Sequence, residues 1–577
     1  MLVSTTVAGT ARSLTKRSVI STAAVFALAP LLAIAQNPPR TVQKFVARTE
    51  LVTVPVIVLN HGKHVTGLHK ADFEIEEEGH PKTVATFEEV GLAQSAKPIA
   101  PPPGIYTNEI IADGPVTMTV ILLDMINTPY LYQEEVKRRL LDYLQHSYRA
   151  DRPTMLAILH RSGLQVVHDF TNDPAVLEAL VRHLKKDMQH DSEADNVVQK
   201  DDTGTLLNQV DVAGEYEALE KEFLGDLSLR ERYQKHIEDD DRETTLLQLR
   251  QLARSLSSVR GMKSLIWASA GVVLPPMIDT RSFDLLNEYE ETLKLMNAAT
   301  IVVTPVDTLL ETDNPAFRGA MNQLPASNTL HLPLTPGTQR IQNFMDIAQR
   351  TGGDYCLMRR ERDCFEKMAD FTSHYYLLSY YAQPSERRQW RKLRVNVKGE
   401  KLEVRARSGY YSIGPTSDPG ERRKSDIAEA SIAPLDFRGL PISARWADSG
   451  RATNAKAEKL PAADGTYLEK RNKRSFQIGI APGTLTVDEA DHNHIRLNIT
   501  VLAMDAKGKI VNDLTQQLDL HPTSEDLKRL RTQGFLYANS MEVPAATTRL
   551  RLIVCDNLSE NIGTVSLPVP ATAPASK

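Results

Sequence analysis

A polar segment able to bind a cation follows a long apolar run in the first third of the chain. The segment is DMINT, residues 124–128, and the run before it is VTMTVILL. Such a run is typical of a strand buried on both faces of a parallel sheet, and ligands bind at the carboxyl ends of such strands. The carboxylate of Asp124, followed by the amide of Asn127 and the hydroxyl of Thr128, suits a hard cation such as Mg²⁺. Asp124 is therefore the leading candidate for a ligand-binding residue.

A second chemically suggestive residue is Ser269, in the sequence WASAG. The pattern is close to the G-x-S-x-G turn that exposes the nucleophile of serine hydrolases, but Trp267 replaces the first glycine. That turn leads directly into a helix, which Pro275 and Pro276 prevent here. Because no set of nucleophile, base and orienting group can be assembled, we expect no enzymatic activity. A serine hydrolase that uses Ser269 stays as an alternative.

Other metal and nucleotide motifs are absent from the sequence. It contains no H-E-x-x-H, no Walker loop and no C-x-x-C. His492 and His494 lie two positions apart in DHNH, and on a strand they would share a face without a third ligand. We therefore expect a turn or the start of a strand there, not a zinc site.

The first 35 residues have the pattern of a secretory signal peptide. Basic residues at positions 12, 16 and 17 precede the run VISTAAVFALAPLLAIA, which ends in small residues before Gln36. A membrane anchor is the alternative, but the run is short and contains Pro30. We therefore expect a mature chain that begins at Gln36 and lies in the periplasm, at the cell surface or outside the cell. No later stretch is apolar enough to predict a membrane span.

Export affects what the three cysteines can do. Cys356 and Cys364 are eight positions apart, whereas Cys555 stands alone in an apolar strand-like run. In an oxidising compartment the close pair can form a disulfide, with Cys555 left as a buried thiol. The alternative is three unpaired thiols, because spacing alone does not establish the geometry of a bridge.

Composition limits the classes of protein to which the chain can belong. Of its 577 residues, 41% are hydrophobic and 24% charged, which excludes collagen-like, wholly disordered and multispan membrane proteins. The net charge of −5 gives no general basicity that would indicate a nucleic-acid partner. The length allows three to four domains of roughly 150 residues each.

Periodicity divides the mature chain into a central α/β domain and flanking β-rich parts. Strand and helix patterns alternate through residues 116–385, which predicts a doubly wound α/β domain that ends with the run YYLLSYY. The other predicted parts are a β-rich module at 36–96, a Pro-rich linker at 97–115, a β-hairpin extension at 386–412 that turns at Gly399, a polar linker at 413–465 and a C-terminal β-sandwich at 466–577.

An acidic insertion interrupts the α/β pattern at residues 187–243. It holds 18 Asp and Glu residues against 6 Lys and Arg residues, a local charge of −12. A charge run of this kind favours a solvated, partly helical excursion over a specific site for a cation or a partner.

Several of these segments together resemble a known family. The strands VILLDMINT, SLIWASAG, TIVVTPVD and YYLLSYY, in this order, are similar to the von Willebrand factor A-related domain of secreted acidobacterial proteins. The leading segment LVTVPVIVLNHGKHVTGLHKADFEIEEEGHPK matches as well, so that the resemblance covers about residues 45–412. It implies a von Willebrand A-like, Rossmann-like fold that presents the carboxyl edge of its sheet to a protein partner.

The same resemblance implies a metal site, and this sequence departs from it. The family holds its metal through an Asp-x-Ser-x-Ser loop, a Thr in a second loop and an Asp after a later strand. Asp124 matches and Thr128 can replace the last Ser, but Ile126 cannot coordinate and WASAG has no Asp. Thr203 and Thr205, in the acidic insertion, are weak candidates for the second loop.

Two side-chain ligands would bind Mg²⁺ weakly, since the ion needs a near-octahedral set of oxygens. We therefore expect a degenerate site with no required cofactor, in which Asp124 caps the next helix or hydrogen-bonds the loop. Asp124→Ala would then cost about 1 kcal/mol. The sequence as a whole predicts an exported, non-enzymatic binding or structural protein with a protein partner; metal-dependent adhesion through Asp124 and Thr128 is the main alternative.

Overall fold

The structure is a computed structural model. It describes residues 2–3, 50–91, 101–110, 117–128, 130–150, 153–184, 239–257, 259–270, 283–308, 336–357, 363–383, 389–399, 401–412, 419–447 and 471–569. The predicted signal peptide, apart from Leu2 and Val3, lies outside these ranges. Most of the acidic insertion, with Thr203 and Thr205, also lies outside them.

The segments before the central domain consist mainly of strands. They are β1 (Leu2–Val3), β2 (Glu50–Asn60), β3 (Lys63–His64), β4 (Phe73–Glu77), β5 (His80–Lys82), β6 (Thr86–Gly91) and β7 (Tyr106–Thr107), with a 3-10 turn at Lys70–Asp72. Gly62 lies in the turn between β2 and β3, and Gly79 lies in the turn between β4 and β5. Their φ angles of +75° and +76° favour glycine, because a side chain is strained in this region.

The central domain alternates strands and helices, as its periodicity predicts. Its elements are β8 (Met118–Asp124), α1 (Tyr130–His146), β9 (Thr154–His160), β10 (Gly163–Thr171), α2 (Pro174–His183), α3 (described over 239–255), β11 (Lys263–Ser269), α4 (Phe283–Ala298), β12 (Ile301–Asp307), α5 (Pro336–Thr351), β13 (Cys356–Leu357) and α6 (Cys364–Phe371). The sheet order is β10-β9-β8-β11-β12-β13, and within it only β10 runs antiparallel to its neighbour.

Helices cover both faces of this sheet. Ile121 and Leu123 of β8 belong to one core with α1, α2 and α6, whereas Val120 and Leu122 belong to another with α3, α4 and α5. Alternate residues of a strand point to opposite faces, so a strand covered on both sides must be apolar throughout. The chain passes from β8 to β9 on one side and later to β11 on the other. This makes the gap between the carboxyl ends of β8 and β11 the switch point of the sheet.

The strands after α6 return to the N-terminal module, which corrects two predictions. They are β14 (His374–Ala382), β15 (Trp390–Val397), β16 (Glu403–Ala406) and β17 (Gly409–Tyr411). YYLLSYY does not end the central domain, because β14 lies between β2 and β6. The predicted hairpin is wrong as well: β15 pairs with β4 and β17, whereas β16 pairs with β2. The two strands enter opposite sheets because each buries its apolar face in the one core between them, through Leu393 and Val404.

The C-terminal part is a second two-sheet sandwich. Its elements are α7 (Pro419–Ile432), β18 (Ile442–Trp446), β19 (Arg471–Ile480), β20 (Ile495–Met504), β21 (Ile510–Leu520), α8 (Ser524–Gln533), β22 (Phe535–Pro544), β23 (Arg549–Asp556) and β24 (Asn561–Pro568). The sheets have the orders β1-β22-β19-β18-β7 and β21-β20-β23-β24. They share one core, to which Phe476 and Ile478 contribute from the first sheet and Leu497 and Val501 from the second.

Both segments predicted as linkers contribute to this sandwich. In the segment 413–465, α7 and β18 are ordered, and Ala430 packs against Ile553. In the segment 97–115, β7 pairs with β18. Asn108, which is buried, donates to the carbonyls of Phe437 (2.6 Å) and Leu440 (2.9 Å) and accepts from the amide of Ile442 (2.8 Å). The prediction of two linkers from polar or Pro-rich composition was therefore wrong, because parts of both segments are packed into the sandwich.

Both sandwiches attach to the central domain near the amino ends of its parallel strands. In the N-terminal sandwich, the hydroxyl of Tyr375 accepts from the amide of Met262, just before β11, at 2.9 Å. In the C-terminal sandwich, Arg438 donates to the carbonyl of Ser255 at the end of α3. Arg254 of α3 also pairs with Asp426 of α7 at 2.6 Å. Because α3 leads into β11, its end lies at the amino edge of the sheet.

Candidate functional site

The candidate site is centred on Asp124, the last residue of β8. Its side chain is completely buried and accepts four hydrogen bonds. Oδ1 accepts from the amide of Asn127 at 2.9 Å. Oδ2 accepts from Nδ2 of Asn127 (2.8 Å), Nε1 of Trp267 (3.1 Å) and Oγ of Ser269 (2.8 Å). The expectation that Asp124 bonds the following loop is confirmed; the bond goes to Asn127, which lies before α1.

These donors fill the acceptor positions of one carboxylate oxygen. Each oxygen has roughly two acceptor positions, and three donors of this chain face Oδ2 whereas one faces Oδ1. Burial raises the pKa of Asp124, and the bonds from Asn127, Ser269 and Trp267 lower it, which partly offsets the cost of burial. A cation at Oδ2 would have to displace at least one of these donors, and Oδ1 alone would supply a single ligand. The residues present thus fit a metal ion poorly at Asp124.

Thr128 is close to the site but has different partners. Its hydroxyl accepts from the amide of Ala270 at 3.2 Å and lies 3.4 Å from the hydroxyl of Thr308. Its carbonyl accepts from Nε2 of Gln133 at 2.9 Å. The hydroxyl therefore links the loop after β8 to the segments after β11 and β12. This role in holding the loops differs from the predicted role as a metal ligand.

Ser269 has a hydrogen-bonding role in this geometry. It is completely buried at the end of β11, and its hydroxyl donates to Asp124. A serine nucleophile needs an exposed oxygen and a base that accepts its proton during attack. Ser269 lacks that exposure, which weakens the hydrolase alternative. Pro275 and Pro276 lie outside the described residues.

Three features of this edge are not indicated by the sequence pattern. Trp267 replaces the first glycine of the hydrolase pattern in the sequence, and in the structure its indole nitrogen donates to Asp124. Asn127 also bonds the hydroxyl of Thr245 at 3.1 Å, which ties the loop to α3. Asp307 lies at the end of β12, directly beside Ser269 in the register. The parallel register could have suggested the position of Asp307 beside Ser269, since adjacent strands that end together bring their last residues together.

The remaining candidate residues lie elsewhere in the molecule. Cys356 and Cys364 form a disulfide between β13 and the start of α6, with a Cα–Cα distance of 5.6 Å. Cys555 is a free, buried thiol, as expected, and burial raises its pKa to about 12. His494 lies between Asp491 (3.0 Å) and Asp519 (3.1 Å), at the end of a turn. Among the described residues, no group of three or more His, Cys, Asp or Glu side chains could hold a metal ion.

Comparisons with known proteins show no relative of this chain, and its described helices show no membrane span. No family model matches this sequence, and no curated protein is detectably similar to it. Within the described residues, no helix is both long and apolar enough to cross a bilayer. What can be said of function therefore depends on the site and the architecture described above: a mostly parallel α/β sheet flanked by helices and by two β-sandwiches.

Proposed function

We propose that this chain is an exported, non-enzymatic binding protein whose central domain is of the von Willebrand A type. In chain order, the six strands of the central sheet are arranged 3-2-1-4-5-6. This is a Rossmann-like order whose ligands bind at the switch point. The resemblance over about residues 45–412 supports the same assignment. The surface that contacts the partner is the carboxyl edge of the sheet, around the loop after β8.

The observation that carries this proposal is the occupation of Asp124 by donors of the chain itself. A metal-dependent or catalytic site keeps a coordination position or a reactive group open. Here Trp267, Ser269 and Asn127 donate to Oδ2 of Asp124 instead. The edge is therefore preformed without a cation, and a preformed surface loses less conformational entropy when a partner binds.

The placement of the two sandwiches supports the same view. Their contacts at Met262 and at Ser255 lie at the amino edge of the sheet, opposite to Asp124. The sandwiches thus contact the central domain at the amino edge of its sheet. The proposed binding surface lies at the carboxyl edge, away from these contacts. Function as a scaffold alone would not require this separation.

Quantitative capture from periplasmic and cell-surface extracts tests the proposal. The immobilised chain should enrich a protein partner, and Ile126→Arg at the half-buried tip of the site should abolish the capture. The matched control is Ile432→Arg, which alters an exposed apolar residue on α7. Both variants are first compared with the wild type by thermal unfolding, so that loss of binding is separated from loss of fold.

The metal-dependent alternative is tested in the same experiment. Capture should be equal in EDTA and in millimolar Mg²⁺, because no ion is needed to order the loop. Loss of capture in EDTA would favour metal-dependent adhesion through Asp124 and Thr128. Equal capture by the wild type and Ile126→Arg would show that the partner binds elsewhere.

A further inference from the structure

Two histidines lie where the N-terminal sandwich meets the central domain. His64 is on β3 and His374 is the first residue of β14, and their ring centroids are 5.9 Å apart. Only two residues separate α6 from β14, so His374 is at the point where the chain leaves one module for the other. The pair is therefore part of the junction between the two modules.

His64 makes a direct contact across this junction. Its Nε2 lies 2.9 Å from the carbonyl oxygen of Asp370 in α6, and since a carbonyl only accepts, this nitrogen donates. Its Nδ1 is buried and has no partner in the described part of the chain.

His374 is held by Glu89 on the adjacent strand β6. Its Nε2 lies 3.0 Å from Oε1 of Glu89, and only 14% of its side chain is exposed. Burial lowers the pKa of His374, the hydrogen bond and charge of Glu89 raise it, and the neighbouring His64 lowers it again. The net direction is downward from the ordinary value of 6.5.

The other titratable groups around the pair come from β14 and α6. The ring of Tyr376 packs edge-on against His374 at 5.3 Å, and burial raises the pKa of this tyrosine. The carboxylate of Asp370 lies 4.0 Å from the exposed Arg149. Glu89 is thus the carboxylate that directly bonds an imidazole of the pair, and it is shared with the amide of Gly67 at 2.8 Å.

We propose that His64 and His374 form an acid-sensitive contact that loosens the N-terminal sandwich from the central domain when the pH falls. Protonation of His374 places a positive charge on a side chain that is only 14% exposed, 5.9 Å from the ring of His64 at the junction. An exported protein meets the pH of its surroundings, so such a contact would change the relative freedom of the two modules in acid.

The sign follows from the linkage of protonation to folding. The pKa of His374 is lower in the folded chain than in the unfolded chain, so the unfolded state takes up its proton first as the pH falls. The contact is at full strength above the ordinary histidine pKa and weakens as the pH falls below it. The loss is complete only below the folded pKa.

Hydrogen–deuterium exchange of the full chain tests this directly, at about pH 7.5 and about pH 5.5 and corrected for intrinsic rates. In the wild type, peptides from α6 and from the β2–β3 turn should exchange faster at the lower pH. The expected factor at pH 5.5 is up to about ten, because this pH lies one unit below the ordinary pKa of 6.5. The double variant H64Q/H374Q keeps an amide donor for Asp370 and Glu89 but cannot become charged, so its protection should not change.

The matched control is H80Q, which alters an exposed histidine on β5 of the same sandwich and should behave like the wild type. Unchanged protection of the wild type in acid, or the same loss in H64Q/H374Q, would overturn the proposal. If the double variant does not fold, imidazole C2–H exchange of the wild type provides the test. The proposal requires His374 to titrate below 6.5, and titration at or above that value refutes it.

Discussion

Replacing Asp124 with alanine should destabilise the central domain by about 3–5 kcal/mol, well above the 1 kcal/mol expected for a single lost cap. The change removes the acceptor of four hydrogen bonds at a fully buried position. Nε1 of Trp267, which is completely buried, and the amide of the half-buried Asn127 would then lose their acceptor. Each buried group without a partner costs about 1–3 kcal/mol. Relief of the buried charge offsets part of this sum.

Urea unfolding followed together with exchange of β8 peptides is the assay, because the unfolding of a multidomain chain is not a single two-state transition. Ser269→Ala removes one donor and should cost about 1 kcal/mol. The double variant Asp124→Ala/Ser269→Ala should be more stable than the sum of the single costs predicts, because the two groups are direct partners. Additive costs would show that the bond between Ser269 and Asp124 does not form.

Addition of Mg²⁺ distinguishes this hub of hydrogen bonds from a metal site. A bound ion stabilises the native state once its concentration exceeds its dissociation constant. We expect the same unfolding midpoint in EDTA and in millimolar Mg²⁺. A stabilisation by Mg²⁺ that disappears in Asp124→Ala, or a cost of Asp124→Ala below about 0.5 kcal/mol, would refute the reasoning.

Three further substitutions test other parts of the fold. Burial lowers the pKa of Lys263 to about 7 from its ordinary 10.5, so the unfolded chain binds more protons than the folded chain between these two pH values. The free energy of unfolding should therefore rise with pH in this range by up to about 1.4 kcal/mol per pH unit. Lys263→Met should remove that slope in urea titrations. Asn108→Ala should cost about 2–3 kcal/mol and make residues 101–110 sensitive to limited proteolysis, unlike the control Glu109→Ala. Cys364→Ser should lower stability by about 2–3 kcal/mol, and non-reducing peptide maps of the wild type should show the bridge to Cys356.

Local sequence patterns predicted elements and faces but not long-range pairing. The apolar run that ends at Asp124 predicted a strand buried on both faces, because its alternate residues are equally apolar and strands covered by helices need this. The alternation around Leu393 and Val404 likewise predicted two strands correctly. Alternation predicts which side of a strand is buried but not which strand pairs with it. It therefore could not predict that these two strands belong to opposite sheets.

The site was predicted in position and only partly in content, for a related reason. The carboxyl end of a buried strand identified Asp124 without any partner. The partners Trp267 and Ser269 lie more than a hundred residues later and reach Asp124 only through the parallel register of β8 and β11. A residue's chemical type shows what it can do, whereas its neighbours in space decide what it does. A carboxylate such as that of Asp124 can bind a cation, but here its neighbours donate hydrogen bonds to it.

The hydrogen-bond donors around Asp124 have a consequence for the binding edge that we propose. An ion holds loops together only at concentrations that saturate it, whereas the indole of Trp267 and the hydroxyl of Ser269 are always present. Both donors extend from the same buried strand, so Asp124 is fixed by the rigid sheet. Asn127 connects Asp124 to the loop and, through its hydrogen bond to Thr245, also connects the loop to α3. Binding at the proposed edge would therefore be independent of the cation content of the surroundings.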